Sequence, residues 1–516
     1  MRAARFLLIG LLFGACREGS VEQEAPKLEV QAPAFPLSSV VQPALARLTD
    51  QLAAEVKAPL ETANPDRILG LLELLGGSNG RMRAMAREEA SGLGKRCLDQ
   101  LQPLIDDSEL EQSRRADALE LLALVGGDEA AELLLTRLEG SSEAWLRTHS
   151  AWRLGELQRD WVIPRMLLRF KYEKDFETVI WMAKSLASLG NFEGLSALQA
   201  VADGSTDPTL VASAFERMLE IAQAAGHEDA ASLWAAWTQG TQELPLPETL
   251  GPERSLRYRL EVWKWIQRFV EYQLRGVDDA RFVLQRMGPA AAGIMGEALF
   301  DANAYIRVGV AQSLQRMGPR ARSAGPQLVA GLQDPRLGPW AAVALGAIGA
   351  EAYPAGQGAL LACMAQGVDP EIRLSAIRGL GGFGAAPDPA SVAALRRILE
   401  SASDSPQQAP EAEEFRQAAA ESLLALGETH GILQPLMDWM LSETVSPVSS
   451  QRALRAWLQT MSEQPQVAQL LEAWDALEPP GQKVVSPAQR RQAKAGQRDL
   501  LQAALPYLLE APADSE

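Results

Sequence analysis

Residues 369–384 read Asp-Pro-Glu-Ile-Arg-Leu-Ser-Ala-Ile-Arg-Gly-Leu-Gly-Gly-Phe-Gly, and this stretch decides the fold. It carries the start and stop signals of one helix. Asp369 can accept hydrogen bonds from first-turn backbone amides, and Gly384 can close the helix in a left-handed conformation because it lacks a Cβ. Ala376, Leu380 and Phe383 fall at i, i+4 and i+7, so they share one face. The stretch therefore predicts a short, capped helix with one apolar side.

The same pattern recurs at least ten times along the 516 residues. Its anchor is the apolar residue just before the closing position. The first five anchors are 32 residues apart, and a gap of 66 residues separates them from the next five. They are Leu93, Val125, Leu157, Leu189, Ile221, Met287, Met317, Ile348, Phe383 and Leu426. A period of this length is typical of a solenoid, in which each unit packs only on its neighbours.

The columns around the anchor have structural meanings. Glycine follows the anchor directly in eight copies, and leucine stands three before it in eight. Seven before it the residue is usually small, which lets a neighbouring helix approach, and an Asp, Asn or Glu fourteen before it predicts the N-cap. The closing glycines are Gly94, Gly126, Gly190, Gly288, Gly318, Gly349, Gly384 and Gly427.

Arginine stands ten residues before the anchor in six copies, at Arg83, Arg115, Arg147, Arg307, Arg373 and Arg416. An arginine near a helix N-terminus opposes the helix dipole, so its recurrence needs another reason. We expect a carboxylate or amide four residues upstream to pair with each arginine, as Glu143 would with Arg147. Stacked repeats would then form a structural ladder along the turns.

This pattern resembles the HEAT-like repeats first named in phycobilisome lyases, whose second helix reads roughly D-P-x-V-R-x-x-A-x-x-A-L-G-x-I-G. Residues 369–373 and 341–349 match it closely. The resemblance covers about residues 65–475 and implies an all-α fold, an α-solenoid of stacked helical pairs. It also implies that the capped helices line the inner, concave surface. It says little about function, because such repeats serve scaffolds, adaptors and some enzymes alike.

Breaks in the register predict the domain organisation. We expect a signal peptide at 1–15, a flexible tether at 16–36, an N-terminal block at 37–239, a linker at 240–252, a long joint helix at 253–275, a C-terminal block at 276–477 with an acidic insertion at 401–414, a basic linker at 478–498, a C-terminal helix at 499–510 and a tail at 511–516.

The N-terminus carries a targeting signal. Arg2 and Arg5 precede an apolar run at 6–13 that is too short to span a bilayer. Small residues before Cys16 resemble a bacterial lipobox, which implies cleavage there and lipid attachment to its sulfur; an ordinary secretory signal is the alternative. Arg17, rather than an aspartate, follows the cysteine, and by analogy with enteric bacteria this favours the outer membrane within the cell envelope.

Charge and cysteine content exclude some classes of function. Without the signal the chain has 47 basic and 66 acidic residues, a net charge near −19, which argues against a nucleic-acid partner. Cys97 and Cys363 are about eight repeats apart, too far for a disulfide in an extended array, so we expect two free, buried thiols.

Two strings resemble catalytic motifs. Residues 76–80 fit G-x-S-x-G and residues 379–384 fit G-x-G-x-x-G. Both fall on repeat helices or their caps, and neither follows a strand as those motifs require. The only histidines, His149, His227 and His430, are far apart, so we expect no metal site, no cofactor and no small-molecule substrate.

Aromatic residues are the candidate binding residues. Positions one, five, eight and twelve before the anchor should face outward, and most are polar. The exceptions are Trp145, His149, Trp152, Trp181 and Trp340. Large aromatics on a wet face are candidate partner-binding residues. The alternative is that tilted helices or an outer element cover them as ordinary packing.

The predicted joint helix at 253–275 has two apolar stripes on nearly opposite faces, one including Trp263 and the other Trp265. A helix that is apolar on two sides is usually sandwiched, here between two half-solenoids. A groove for an acidic partner segment is the alternative.

The sequence as a whole favours a lipid-anchored envelope scaffold or adaptor that binds another protein and is not an enzyme. A HEAT-repeat enzyme or accessory factor of the chromophore-lyase type is the competing hypothesis.

Overall fold

The computed structural model describes residues 65–76, 80–91, 97–242, 255–270, 274–365, 368–383, 388–400 and 409–428, with residues 459 and 472. The signal peptide, Cys16, the tether, most of the 240–252 linker and the segments after 477 lie outside these residues. So do residues 401–408 of the acidic insertion, whereas 409–414 begin a helix.

Within the described residues the chain is an all-α solenoid. Its α-helices are α1 (Pro65–Gly76), α2 (Gly80–Ser91), α3 (Leu98–Asp106), α4 (Gln112–Val125), α5 (Gly127–Gly140), α6 (Ala144–Glu156), α7 (Ile163–Tyr172), α8 (Phe176–Ser188), α9 (Gly194–Gly204), α10 (Pro208–Ala224), α11 (Ala230–Thr238), α12 (Leu256–Gln267), α13 (Leu274–Arg286), α14 (Pro289–Ala298), α15 (Ala304–Met317), α16 (Gly325–Gly331), α17 (Gly338–Ile348), α18 (Ala355–Cys363), α19 (Pro370–Gly381), α20 (Pro389–Glu400) and α21 (Ala409–Ala425). Short 3₁₀ segments cover Asp160–Val162, Arg268–Val270 and Gly318–Ala324.

The capped helices stack on one another in two rows. The inner row of the N-terminal block is α2, α4, α6, α8 and α10, and that of the C-terminal block is α13, α15, α17, α19 and α21. Except for α12, the remaining helices form the outer layer. Some inner helices approach backbone to backbone, which is expected on the inside of a curved stack. A Cβ on Gly155 of α6, for example, would lie 2.9 Å from the Cα of Ser185 on α8.

The helix ends follow the predicted columns only in part, because Glu111 and Glu143 make no capping hydrogen bond with their side chains, and α17 begins at Gly338, four residues after the predicted cap Asp334. Asp369 Oδ1 accepts hydrogen bonds from the backbone N–H of Glu371 and Ile372, at 2.9 and 3.4 Å. Every described closing glycine has a positive φ, between 61° and 83°. Where the repeat ends at Leu157 the next residue is Gln158, and it is the only non-glycine residue with positive φ in the described part of the chain. Helix α10 is an exception, since it runs past its anchor to Ala224.

The predicted 253–275 helix is shorter in the structure. Ser255 caps α12, which ends at Gln267 and passes into a 3₁₀ turn, and Leu274 already belongs to α13. The turn buries Phe269 against α15, where its ring lies within 2.8 Å of the position that a Cβ on Gly309 would take. Among the described residues, the stripe that includes Trp265 is buried, whereas the stripe that includes Trp263 is half-buried apart from Trp263 itself. Helix α12 packs against the Asp160–Val162 turn and against α14 and α15.

The apolar residues form two cores. The larger core runs from α1 to α8 and continues through α12 to α21. A smaller core joins one side of α8 to α9, α10 and α11. We call α9–α11 the side arm. The solenoid therefore branches at α8, within the predicted 37–239 block.

Three contacts fix the branch. Asp160 accepts hydrogen bonds from the backbone N–H and the hydroxyl of Ser255, at 3.0 and 2.6 Å. Asp279 on α13 accepts hydrogen bonds from Lys171 and Tyr172 at the end of α7, at 2.7 and 2.6 Å. These bonds attach the C-terminal block to the outer layer of the N-terminal block.

The side arm is held on the other side of the junction. Trp237 Nε1 donates a hydrogen bond to Glu193 at 3.2 Å, and Arg320 forms an ion pair with the same carboxylate. Gly288 is required beneath Trp237, because a Cβ there would lie 2.9 Å from the indole Cζ2 atom and closer still to Cη2.

Candidate protein-binding surface

Four of the five predicted binding residues lie together. Trp145, His149 and Trp152 follow one face of α6, and Trp181 lies beside them on α8. Ring centroids are 4.5 Å apart for Trp145 and His149, 6.2 Å for His149 and Trp152, and 4.9 Å for Trp152 and Trp181, which are stacked. We call these four residues the aromatic face. All four are half-buried, so each leaves part of its ring in contact with solvent.

Cationic side chains lie over the three tryptophans. The guanidinium of Arg115 is 5.2 Å from the Trp145 centroid and that of Arg153 is 4.2 Å from Trp152. Lys184 and Arg217 lie 5.4 and 5.2 Å from Trp181. Each such contact stabilises an exposed site by about 0.5–1 kcal/mol, so the rings are held in place before any partner arrives.

Carboxylates hold these cations in turn. Glu120 accepts a hydrogen bond from Arg87 at 2.7 Å and one from Arg153 at 3.1 Å. Glu220 pairs with Lys184 at 3.1 Å and also with Arg217. Acids, bases and aromatic rings therefore alternate along the inner row from α4 to α10.

His149 is kept neutral by its surroundings. Burial lowers its pKa, and the nearby Arg153 acts in the same direction. Its Nδ1 lies 3.0 Å from the Trp145 carbonyl oxygen, so Nδ1 carries the proton and donates it. The other ring nitrogen, Nε2, is then an acceptor.

A cleft opens next to the aromatic face, between the N-terminal halves of α8 and α10. Its volume is about 600 Å³. Its wall includes Phe176, Ile180, Trp181 and Leu210, and its rim includes Asp175, Glu177, Asp207 and Lys174. We call it the α8–α10 cleft.

Trp340 is the fifth predicted binding residue and lies apart. It is on α17 in the C-terminal block, 39% exposed, and within the described residues no ring contact joins it to the aromatic face.

The structure also exposes apolar residues that the sequence reasoning missed, including Phe176, Phe215, Leu219, Phe300 and Tyr305. Tyr305 stands twelve before its anchor, the same column as Trp145, so the pattern could have identified it. Phe215 and Leu219 were missed because a regular array would have stacked another inner helix on α10, whereas α13 packs against α7.

Three of the six predicted ladder arginines pair with acids of a neighbouring repeat, but their partners were predicted wrongly. Arg115 forms two hydrogen bonds to Glu143, at 2.8 and 2.9 Å, and Arg147 forms two to Glu173, at 2.9 and 3.0 Å. Both acids belong to the following repeat and not to the arginine's own helix. Arg307 likewise reaches Asp334, at 3.8 Å.

The physical reason is that side chains in a helix point back toward its N-terminus, and so across the loop to the next repeat. Asn303 and Asp369, four residues upstream of Arg307 and Arg373, instead cap their own helices. Arg373 also reaches onward, to 4.7 Å from the centroid of Phe415. Arg83 is exposed, and Arg416 is buried.

The motif-like strings have the expected helical setting where they are described. Gly76 ends α1 and Gly80 begins α2, while Gly379 and Gly381 lie inside α19. In the described ranges there is no group of three or more His, Cys, Asp or Glu that could hold a metal ion. Cys97 and Cys363 are buried, they form no disulfide within the described part of the chain, and burial raises the pKa of both thiols. None of the described helices is long and apolar enough to cross a membrane.

No protein-family model and no curated protein matches this sequence. Solved structures that resemble the chain include human deoxyhypusine hydroxylase in complex with glycerol, with 19% identity, 68% of this chain and 100% of that chain covered, and a TM-score of 0.21. Importin beta has 13% identity over 86% of this chain and 73% of its own, with a TM-score of 0.29. Kap121p bound to Pho4p has 13% identity over 91% and 58%, with a TM-score of 0.29. The chain is an α-solenoid of HEAT-like helical pairs, and nothing that these proteins bind or catalyse carries over to it.

Proposed function

We propose that this chain is a scaffold or adaptor that binds another protein through the inner row of its N-terminal block. The observation that supports the proposal is the aromatic face. Neighbouring α4 carries Asp117 and Glu120 at the positions where α6 carries His149 and Trp152. Aromatic rings on a solvent-facing helix surface do not make the protein more soluble, so another role is expected for them. Binding is the role that we infer, because interface hot spots are enriched in tryptophan.

The arrangement suits binding because the rings are already ordered. Stacking between Trp152 and Trp181 and the cations over both limit the rotamers that the free protein can adopt. Ordering a flexible side chain on association costs about 0.5–1.5 kcal/mol, so a pre-ordered surface loses less on binding. The alternating acids and bases around the rings would fix the orientation of the partner more than its affinity.

A photo-crosslinker placed beside the rings tests the surface. We would put p-benzoylphenylalanine at Glu156, one turn beyond Trp152, and at the exposed Ala200 on outer helix α9 as the matched control. We expect one partner to be captured in cells from position 156 and not from 200, and to be lost when Trp152→Ala is added. Equal capture from both positions would contradict binding at the aromatic face.

The proposal includes a lipid on Cys16 that anchors the scaffold in the cell envelope, with the outer membrane as its expected location. The sequence around Cys16 supports this part. A Cys16→Ser variant should lose both metabolic labelling with palmitate and its place in the membrane fraction. If the variant keeps both, Cys16 is not the anchor, although the binding surface could still be correct.

A further inference from the structure

The α8–α10 cleft has its own chemistry, distinct from the stacked rings beside it. We propose that it receives a partner segment in which one bulky apolar side chain is flanked by lysine or arginine. This inference rests on the proposed scaffold function, because the cleft shares Trp181 with the aromatic face.

The cleft exists because two helices fail to close on each other. Between α6 and α8, Gly155 meets Ser185, and the backbones nearly touch. The equivalent positions between α8 and α10 are Ala187 and Arg217. Arg217 lies over the Trp181 ring at 5.2 Å, so a guanidinium and an indole occupy the space between α8 and α10.

The wall of the cleft is partly apolar, with Thr209 and Ser213 beside its apolar side chains. Ile180 is 1% exposed and Leu210 is half-buried, while Phe176 is 40% exposed at the entrance. A cleft of this size can enclose a large apolar side chain, since ligand pockets typically span about 300–1,000 Å³. Burial of such a side chain would remove both its surface and that of Phe176 from water.

The rim of the cleft is acidic, and two of its acids are fixed in place. Asp175 accepts a hydrogen bond from the backbone N–H of Thr178 at 2.8 Å, and Asp207 accepts one from that of Thr209 at 2.8 Å. These bonds come from helix caps, so the carboxylates cannot swing away from the opening. Hydrogen bonds from the Thr209 hydroxyl and backbone lower the pKa of Asp207.

Glu177 adds a third negative charge. It is exposed, and among the described residues it makes no hydrogen bond or ion pair. Lys174 is the one basic residue in the cleft lining, so the rim is negative by two charges. Cations next to the apolar side chain would therefore pair with Glu177 and Asp207 and lie over Phe176, whose ring face attracts them.

The chain provides a matched control for the rim. Glu371 stands twelve before its anchor on α19, as Glu177 does on α8, and it is also exposed in the first turn. Glu177→Lys and Glu371→Lys change the net charge equally and place the same cation at equivalent helix positions. A difference between them therefore reports the cleft and not general attraction by an acidic protein.

Fluorescence anisotropy with labelled peptides on the full chain tests the proposal. The probe is Gly-Ser-Lys-Arg-Leu-Phe-Arg-Lys-Ser-Gly. One control peptide has glutamate at the four basic positions, and the other has serine in place of Leu-Phe. We expect saturable binding of the probe that weakens with salt, and binding at least about tenfold weaker for both controls. Glu177→Lys and Phe176→Ala should each weaken probe binding about fivefold or more, whereas Glu371→Lys should leave it unchanged.

Three results would overturn the cleft proposal. One is equal weakening by Glu177→Lys and Glu371→Lys, which indicates non-specific charge attraction. Another is probe binding that appears only after Lys483, Arg490, Arg491, Lys494 and Arg498 are replaced by glutamine, which assigns the cleft to this chain's own basic segment. The third is capture of the partner from position 156 that persists undiminished in Glu177→Lys and Phe176→Ala. In that case the scaffold proposal stands and the cleft proposal fails.

Discussion

Glu173 is the most strongly coupled acid in the arginine ladder. Its side chain is 1% exposed and accepts hydrogen bonds from Arg147 and Arg169. Burial alone would raise its pKa, but these two arginines and the backbone amides of Asp175 and Lys174 together outweigh burial and lower the pKa to about 2. Glu173 is therefore ionised in the folded protein at any physiological pH.

The shift predicts how stability depends on pH. The pKa of Glu173 is lower in the folded than in the unfolded chain, so its contribution is present above about pH 4.5 and is lost as the pH falls toward 2. The shift corresponds to about 3 kcal/mol. Chemical unfolding of the wild type between pH 5 and 2.5 should show this loss in excess of that in Glu173→Gln. Parallel curves for the two proteins would contradict it.

The tryptophans of the aromatic face and those of the core should respond differently to truncation. Trp152 is half-buried, and its ring contacts are the stacked Trp181 indole, the tilted His149 ring and one guanidinium, so Trp152→Ala should lower the free energy of unfolding by about 2 kcal/mol. Trp161 is 2% exposed, donates a hydrogen bond to Asp128 at 3.0 Å and lies under Arg257, so Trp161→Ala should cost about 3–5 kcal/mol. Denaturant titration compares the two. An equal or larger loss for Trp152→Ala would make the aromatic face ordinary core packing.

At the scale of helices, two columns set the spacing between neighbours. The residue two before the anchor meets the residue four before the next anchor. Where both are small the helices touch, as at Gly155 with Ser185, Gly346 with Gly379 and Gly381 with Ser422. Where the second residue is arginine, as at Arg217, the helices stand apart. The inner surface is therefore closed at some pairs of neighbouring helices and open at others.

A glycine pair in the C-terminal block tests this rule. A Cβ on Gly346 of α17 would lie 2.6 Å from the Gly379 Cα, and backbone cannot move aside as a side chain can. Gly346→Ala should therefore destabilise the protein by about 3 kcal/mol. Gly358 in α18 has open space around its Cβ position, so Gly358→Ala should stabilise by about 0.5–1 kcal/mol. Thermal unfolding of both variants would reveal the opposite signs, and equal signs would contradict the spacing rule.

The helices were predictable because their signals are local. The Asp369 cap, the closing glycines and the apolar columns all lie within one repeat, and the structure shows them as expected. The aromatic face was also accessible, since α6 and α8 are sequential neighbours. The partners of Arg115 and Arg147 were misassigned because side-chain direction, which the spacing does not express, decides between two acids at similar distances along the sequence.

At the scale of the molecule, the branch could not be read from the repeats. Its contacts join residues that are far apart in sequence: 95 residues separate Ser255 from Asp160, and 108 separate Lys171 from Asp279. Each is an ordinary polar residue on its own helix, and no periodicity marks it. The branch is also what leaves one side of α10 exposed. Because the sequence did not predict the branch, it did not predict this exposed side either.

The two cores predict two units of local stability. Trp237 packs edge-on to Phe192, with ring centroids 5.5 Å apart, and joins the side arm to the C-terminal block. Trp237→Ala should therefore raise amide hydrogen exchange in α9 and α11 and leave α17 and α19 unchanged. Amide hydrogen exchange measured by mass spectrometry on the wild type and on Trp237→Ala tests this prediction. A uniform rise across α17 and α19 would mean that the chain opens as one cooperative unit.

The attachment of α12 to the Asp160–Val162 turn also sets an order of events during synthesis. Asp160 and Trp161 leave the ribosome about 95 residues before Ser255 and Arg257, which cover them. At about 5–20 residues per second this is a wait of roughly 5–20 s. During that time a large indole and a carboxylate that are buried in the finished protein face water. A chaperone that recognises exposed apolar surface would meet the nascent chain at this point, before the second half of the solenoid docks.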